Sequence, residues 1–236
     1  MLRTVDLSKS YRPGTWALRD VSLCAPGGAL TMLLGANGAG KTTLINCLLD
    51  FIRPSAGRAF IDDIDVAIEP LPAKRRLAYL AETLSVYPAL TGLENLRFFS
   101  GLGSRTRLSR RDAAELLDAM RLPATAHRRP VRDYSKGMRQ KLGLAIALAR
   151  GATNVVLDEP TTGLDPSAVR ELFQVLRELR GQGQAILMTT HDVHRAALEA
   201  DSACVMKEGR VVAQYAGDVL RGLDVEGEYL RIMVQA

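Results

Sequence analysis

Two short stretches of this sequence carry residue types suited to handling phosphate. Residues 35–43 read GANGAGKTT, which fits the spacing GxxxxGK[ST]. Gly35, Gly38 and Gly40 let the backbone curl so that successive N–H groups, those of Asn37 and Ala39 included, point inward at anionic oxygens. Lys41 reaches the outer phosphates, the Thr42 hydroxyl suits Mg²⁺, and Thr43 completes the cradle. An apolar run precedes the loop and the helix-forming LINCLLD follows it, which is the strand-turn-helix context this spacing needs. The positive end of that helix adds to the attraction. The second stretch, residues 154–160, reads NVVLDEP, an apolar run ending in two carboxylates. Asp158 at a strand end suits Mg²⁺ held through water, and Glu159 one step further can orient or deprotonate a water molecule. Paired acids at a strand end also serve as helix caps, so their reading as a site leans on the phosphate cradle. The cradle by itself does not separate kinases, GTPases, motors and transporters.

These residues need elements to hold them. Apolar runs at 29–35, 77–80, 154–157, 185–190 and 203–206 read as strands, and those at 154–157 and 185–190 as buried parallel ones. Between them lie helical patterns. The clearest spans 165–180, where Asp165 caps, Pro166 fits the first turn and Gly181 fits the end. Val169, Leu172, Phe173, Leu176 and Leu179 form its apolar stripe. Such alternation predicts an α/β domain with right-handed crossovers. From about 83 to 150 the pattern turns mainly helical, including 112–120 and 135–150. The expected layout is one unit over 1–236: a core of 1–82 and 151–220, a helical subdomain inserted at 83–150, and a short helical tail at 221–236.

With 236 residues, 47% hydrophobic and 24% charged, the chain can bury a sizeable core and is not composed like a disordered one. The opening MLRTVDLSKSYRP has no apolar signal segment, and no apolar run approaches the roughly 18 residues that span a bilayer. The expectation is a cytoplasmic protein that meets a membrane only through a partner. Cys24, Cys47 and Cys204 form no CxxC pair, so neither a disulfide nor a metal site is expected, and all three read as small core residues. The net charge is +5, with Arg-rich stretches at 105–111 (RTRLSRR) and 127–132 (HRRPVR). A basic face can meet nucleic acid or an anionic leaflet. No aromatic residues interleave with these charges as a stacking platform requires, so a solvated surface is the expectation.

Residues 134–138 read YSKGM, followed by RQKLGLAIALAR. Here the chain resembles the ATP-binding cassette of ABC transporters, and the resemblance runs from about residue 2 to 215. YSKGM stands where that family carries a signature, usually LSGGQ. Ser135 and Gly137 match it; Lys136 and Met138 depart from it in the manner of ABC-2-type exporters. The resemblance implies a P-loop NTPase (RecA-like) core with a mainly parallel sheet, an N-terminal antiparallel β-subdomain and an inserted α-helical subdomain. Ser135 opens a helix, so its hydroxyl, the Gly137 N–H and the helix dipole make a second anion site, or Ser135 acts as a cap alone. In the family this site grips the γ-phosphate of ATP held by the other subunit, and two chains pair head-to-tail around two ATP molecules. Tyr11 matches the aromatic residue stacked on adenine, with Trp16 a competing aromatic. Residues 162–165, TGLD, match the loop that communicates across the pair, where Asp165 also caps the next helix. His191, in TTHDV, matches the switch histidine that hydrogen-bonds the γ-phosphate. Where the family usually has Gln at the junction into the helical subdomain, this chain has Glu82, which can still give Mg²⁺ an oxygen. His127 and His194 match nothing.

The function so implied is an ATP-binding and ATP-hydrolysing subunit that energises an ABC transporter, of the ABC-2 exporter type. ATP and Mg²⁺ are the implied cofactors, with Glu159, His191 and Lys41 catalytic and Thr42, Glu82 and Asp158 around the metal. An integral membrane permease and a second copy of the cassette are the implied partners, at the cytoplasmic face of the inner membrane. The alternative is a soluble ABC ATPase acting on nucleic acid or ribosomes. Such proteins usually carry two cassettes or a long coiled-coil insertion; this chain has one cassette and no heptads, so nucleic acid is not the expected partner. No pocket for cargo is readable in the sequence.

Overall fold

The computed structural model describes residues 1–102, 108–222 and 224–234. Two sheets organise it. The first is antiparallel. Strand β1 (Leu2–Arg12) pairs with β2 (Thr15–Ala25) across the turn at Pro13 and Gly14, and with β4 (Ala56–Ile61), which pairs in turn with β5 (Ile64–Asp65). The second sheet contains β3 (Leu30–Leu34), β6 (Leu77–Leu80), β7 (Asn154–Asp158), β8 (Ala185–Thr190), β9 (Ser202–Lys207) and β10 (Arg210–Ala216) in the order β10-β9-β3-β8-β7-β6. Neighbours in it are parallel except β9 and β10.

Every residue of β3 and β8 is buried, as expected of unbroken apolar runs covered on both faces. Alternate side chains go to opposite sides. Met32, Val155, Leu157, Ile186 and Met188 join one core, while Leu33, Val156 and Leu187 join another with Leu2, Leu7, Leu18 and Ile61 of the antiparallel sheet. The parallel sheet is therefore the wall between two cores.

The helices are α1 (Lys41–Leu48), α2 (Pro70–Arg75), α3 (Gly92–Gly101), α4 (Arg110–Ala119), α5 (Lys136–Leu148), α6 (Pro166–Gly181), α7 (Val193–Glu199), α8 (Gly217–Gly222) and α9 (Val225–Val234). Helices α3, α4 and α5 lie in the chain between β6 and β7. Thr91 and Glu94 close a capping box at α3, and Asp165 accepts from the Ser167 and Ala168 amides to start α6. Val169, Leu172, Phe173, Leu176 and Leu179 of α6 are all buried.

Two expectations change, and one edge strand was not anticipated. Cys24 is exposed, because β2 alternates and Cys24 points outward between buried Leu23 and Ala25. Helix α4 starts at Arg110 rather than at 112, because Ser109 accepts from the Asp112 amide and caps it. Strand β10 has no apolar run; its residues alternate between exposed and half-buried along the sheet edge. Arg105 and Arg107 of the first Arg-rich stretch, and the last two residues of the tail, lie outside the described residues. Among the described residues no helix is long and apolar enough to cross a membrane.

Candidate functional site

Strands β3, β8, β7 and β6 are consecutive neighbours and parallel, so their carboxyl ends open on one edge. That edge is where doubly wound sheets hold their ligands. The loop 35–40 follows β3, His191 follows β8, Asp158 and Glu159 end β7, and Glu82 lies two residues past β6. A cavity of about 220 Å³ there is lined by Ala17, Asn37, Gly38, Ala39, Gly40, Lys41, Thr42, Thr43, Glu82, Asp158 and Glu159. An adjoining one of about 400 Å³ is lined by Asn37, Glu82, Glu159, Thr162 and His191.

The cradle depends on glycine in a specific way. Gly40 has φ 107, and a Cβ there would come within 2.6 Å of the Ala17 carbonyl oxygen. Gly35 is closed in similarly, with a Cβ 2.7 Å from the Met206 oxygen. Gly40 is also the N-cap of α1 and offers its amides no side-chain acceptor. Helices α3 to α7 are each capped by a side chain: Thr91, Ser109, Ser135, Asp165 and Asp192. The amino end of α1 is thus left free for an anion from outside the chain.

Lys41 is 7% exposed, and its Nζ donates to the Gly35 oxygen at 2.5 Å and the Ala36 oxygen at 3.3 Å. It also stands 3.8 Å from Glu159 Oε1. The ammonium is parked at the loop mouth beside a carboxylate, the arrangement expected of a cation that waits for phosphate oxygens.

One hydroxyl sets the two acids. Thr189 of β8 donates to Asp158 Oδ1 at 2.6 Å and accepts from the Glu159 N–H at 2.9 Å. Glu159 has φ 46, a left-handed conformation that costs a non-glycine residue about 1–3 kcal/mol. That turn points its carboxylate across the strand ends, where Oε2 lies 2.9 Å from His191 Nδ1 and 3.4 Å from the Thr162 hydroxyl. The His191 side chain is 66% exposed and that of Glu159 14%, so a carboxylate and an imidazole meet at the edge of a water-accessible cleft.

The residues fit a divalent ion only with help. Among the described residues no three His, Cys, Asp or Glu side chains gather to hold a metal unaided. Thr42, Asp158 and Glu82 instead present separate oxygens around the cradle, a donor set for a hard cation that takes its remaining oxygens from phosphate and water.

The other residues singled out in the sequence lie elsewhere. Ser135 caps α5 by accepting from the Met138 N–H at 3.2 Å, and neither it nor Gly137 lines the cleft. Gly137 is pressed against α6, since a Cβ there would lie 2.8 Å from Ala168 Cβ. Gly163 has φ 68, and Lys136 Nζ lies 3.0 Å from where its Cβ would be. Asp165 has its carboxyl held below the usual range, first by the Ala168 N–H. Tyr11 and Trp16 are exposed, at 58% and 42%, and neither lines the cradle; Ala17 does.

Two residues escaped the sequence reading. Thr189 sits in the quoted TTHDV run, and the hint was a polar residue ending an apolar strand. Gln140 is buried on α5, and its Nε2 donates to the Glu82 carbonyl oxygen at 3.4 Å, tying the α5 helix to the Glu82 segment. The hint there was an amide inside a helix that is otherwise mostly buried.

Known proteins agree with this geometry. A family model described as ABC transporter matches residues 18–162. The chain is 37% identical over 214 residues to the daunorubicin/doxorubicin resistance ATP-binding protein DrrA of Streptomyces peucetius, covering 90% of this chain and 64% of that protein. It is 36% identical over 215 residues to the doxorubicin resistance ATP-binding protein DrrA of Mycobacterium tuberculosis, with 90% and 65% covered. The chain thus spans a little less than two thirds of the length of these relatives. Among solved structures, the ATP binding subunit of an ABC transporter superposes with a TM-score of 0.84 at 30% identity, over 99% of each chain. A dimeric ATP-binding cassette in a post-hydrolysis state, bound to ADP and Pi, gives 0.81 at 25% identity, over 94% of this chain and 100% of that one. The mixed sheet and strand-end cleft are those of the P-loop NTPase fold, and the chain belongs to the ABC transporter family.

Proposed function

We propose that this chain binds and hydrolyses ATP to energise an ABC transporter, of the exporter type, as one of two cassettes docked on a membrane permease. One observation carries the reading: Lys41, an uncapped helix start, the Asp158–Glu159 pair, His191 and Glu82 converge at the carboxyl ends of four adjacent parallel strands. The relatives' printed names, drug resistance ATP-binding proteins, favour export.

In this reading the 35–43 loop and Lys41 hold the phosphates, and Tyr11 meets the adenine. Thr42, Asp158 and Glu82 hold Mg²⁺, which when bound neutralises charge on the phosphate oxygens. Glu159 takes a proton from, or orients, the attacking water, and His191 holds Glu159 and the outer phosphate in line. Lys41 leaves Glu159 and turns to the phosphates as they arrive. No covalent intermediate is needed; positioning and charge stabilisation do the catalysis.

Ser135 and Gly137 lie outside their own chain's cleft, which fits a second copy supplying them head-to-tail, and the dimeric solved cassette supports such pairing. Residues 83–150 act as the subdomain that meets the permease, giving the chain a peripheral place at the cytoplasmic face. Tyr87, Phe98 and Phe99 form a cluster there, with Tyr87 and Phe99 stacked at 5.7 Å and Tyr87 and Phe98 edge-to-face at 5.1 Å. Tyr87 and Phe98 are nearly half exposed, as an apolar contact for membrane-subunit helices requires.

Glu159→Gln tests the reading. ATP still binds, turnover falls roughly 10²–10³-fold, and size-exclusion chromatography with ATP and Mg²⁺ shows a trapped dimer. Unchanged ATPase in that variant overturns the role of Glu159.

A further inference from the structure

A large cavity assigned above to nothing lies away from the cleft, between α3, α4 and the turn at 124–128. It measures about 1020 Å³ and is lined by Arg97, Arg110, Arg111 and Arg128, with Glu94 and Asp118 as its carboxylates. Two Arg-rich stretches that are separate in sequence therefore meet: Arg110 and Arg111 come from the first, His127 and Arg128 from the second.

The walls are fixed. His127 is 7% exposed, its Nε2 lies 3.1 Å from the Leu122 oxygen and 3.4 Å from Asp118 Oδ1 of α4, and its own carbonyl accepts from the Leu93 N–H of α3 at 3.0 Å. Arg97 is steadied by donating from Nε to the Leu108 oxygen at 3.1 Å. Arg111 is spent on an exposed pair with Glu115 at 2.8 Å. Arg110 and Arg128 make no ion pair or side-chain hydrogen bond among the described residues, although the charge of Arg110 reaches Glu94.

We propose that this cleft binds a phosphomonoester through Arg110 and Arg128, with Arg97 in support. Glu94 is engaged by Thr91 and Asp118 faces His127, so Arg110 and Arg128 are the two guanidiniums of the lining without a partner among the described residues, and two such cations match one phosphate dianion. Guanidiniums grip such an oxyanion bidentately. A carboxylate answers one of these two guanidiniums, whereas a phosphate dianion offers oxygens and charge to both. The volume far exceeds a phosphate and leaves room, over Leu93, Ala114 and Ala124, for the group that carries it. That group is either a lipid, the phosphate then being an anionic headgroup, or a soluble metabolite.

The experiment uses the whole chain with its nucleotide cleft saturated by Mg–ADP. Glycerol 3-phosphate is titrated calorimetrically, and flotation is run with phosphatidic acid vesicles against phosphatidylcholine vesicles. Arg110→Ala/Arg128→Ala, both exposed positions, weakens binding at least tenfold while basal ATPase stays as in the wild type. Binding of the soluble probe alone assigns a metabolite; selective flotation with phosphatidic acid assigns a headgroup; either supports the site. No binding of either probe by the wild type, equal binding by the variant, or a pentaglutamate peptide that binds as tightly overturns it.

Discussion

The amino ends of α1 and α5 use their free amides differently. Helix α1 begins at Gly40 in a left-handed conformation with no side-chain acceptor, and Lys41 folds over the loop before it. Helix α5 begins at Ser135 in an extended conformation, and Ser135 already takes the Met138 amide. The first end is unfinished without an anion. The second is a complete cap with a glycine beside it, pressed on α6. A helix start without a side-chain acceptor that opens on a cavity beside a buried lysine is a stronger sign of a ligand than one that a side chain already caps. On the reading above, the α5 end becomes an anion site only when another chain brings the anion to it.

Substitutions at three positions break or sharpen this contrast. Gly40→Ala has the largest effect, because φ 107 and the 2.6 Å approach to the Ala17 oxygen forbid a side chain. ATPase kcat/KM falls roughly 10²–10³-fold and nucleotide affinity falls with it; unaltered nucleotide binding breaks the contrast. Gly137→Ala comes next. Its overpacking against Ala168 costs about 1–3 kcal/mol, offset by up to about 1 kcal/mol of helix propensity. Thermal unfolding reads that loss, while monomer nucleotide affinity stays and ATP-dependent pairing in a Glu159→Gln background disappears. Ser135 gives the smallest effect on stability and the sharpest separation of roles. Ser135→Ala costs about 1 kcal/mol through the lost cap, whereas Ser135→Asp keeps the cap and adds a negative charge. Pairing lost in the Asp variant at unchanged stability marks Ser135 as an anion contact; pairing retained leaves it a cap.

The centre of the second sheet was legible because β3 and β6 to β9 are short apolar runs. Strands β6 and β8 fall on residues 77–80 and 185–190, as read from hydrophobicity. Strands β1, β2, β4 and β10 were not legible, since they mix exposed with buried or half-buried residues, and β5 is only two residues long. The residue types around the cleft were legible from spacing, but their mutual geometry was not. Thr189 reaches Asp158 only because β7 and β8 pair in a register that sets those residues side by side, and 31 positions separate them in the chain. The left-handed turn at Glu159 has no glycine at that position to announce it. The convergence of two basic stretches on one cavity is equally a tertiary fact, since charge in a sequence carries no direction.

The hydrogen bond from Gln140 to the Glu82 carbonyl has a mechanical meaning. Helix α5 spans 13 residues, about 20 Å at 1.5 Å per residue. Gln140, about a third of the way along, donates to the Glu82 segment, and the chain beyond the carboxyl end runs on into β7 and its two acids. A rigid rod of about that length, tilted by about 5°, moves its tip by roughly 2 Å, which is enough to make or break a hydrogen bond. Gln140 and Ser135 are five residues apart on this one helix, so the Glu82 segment and the amino end of α5 are joined through a single stiff element.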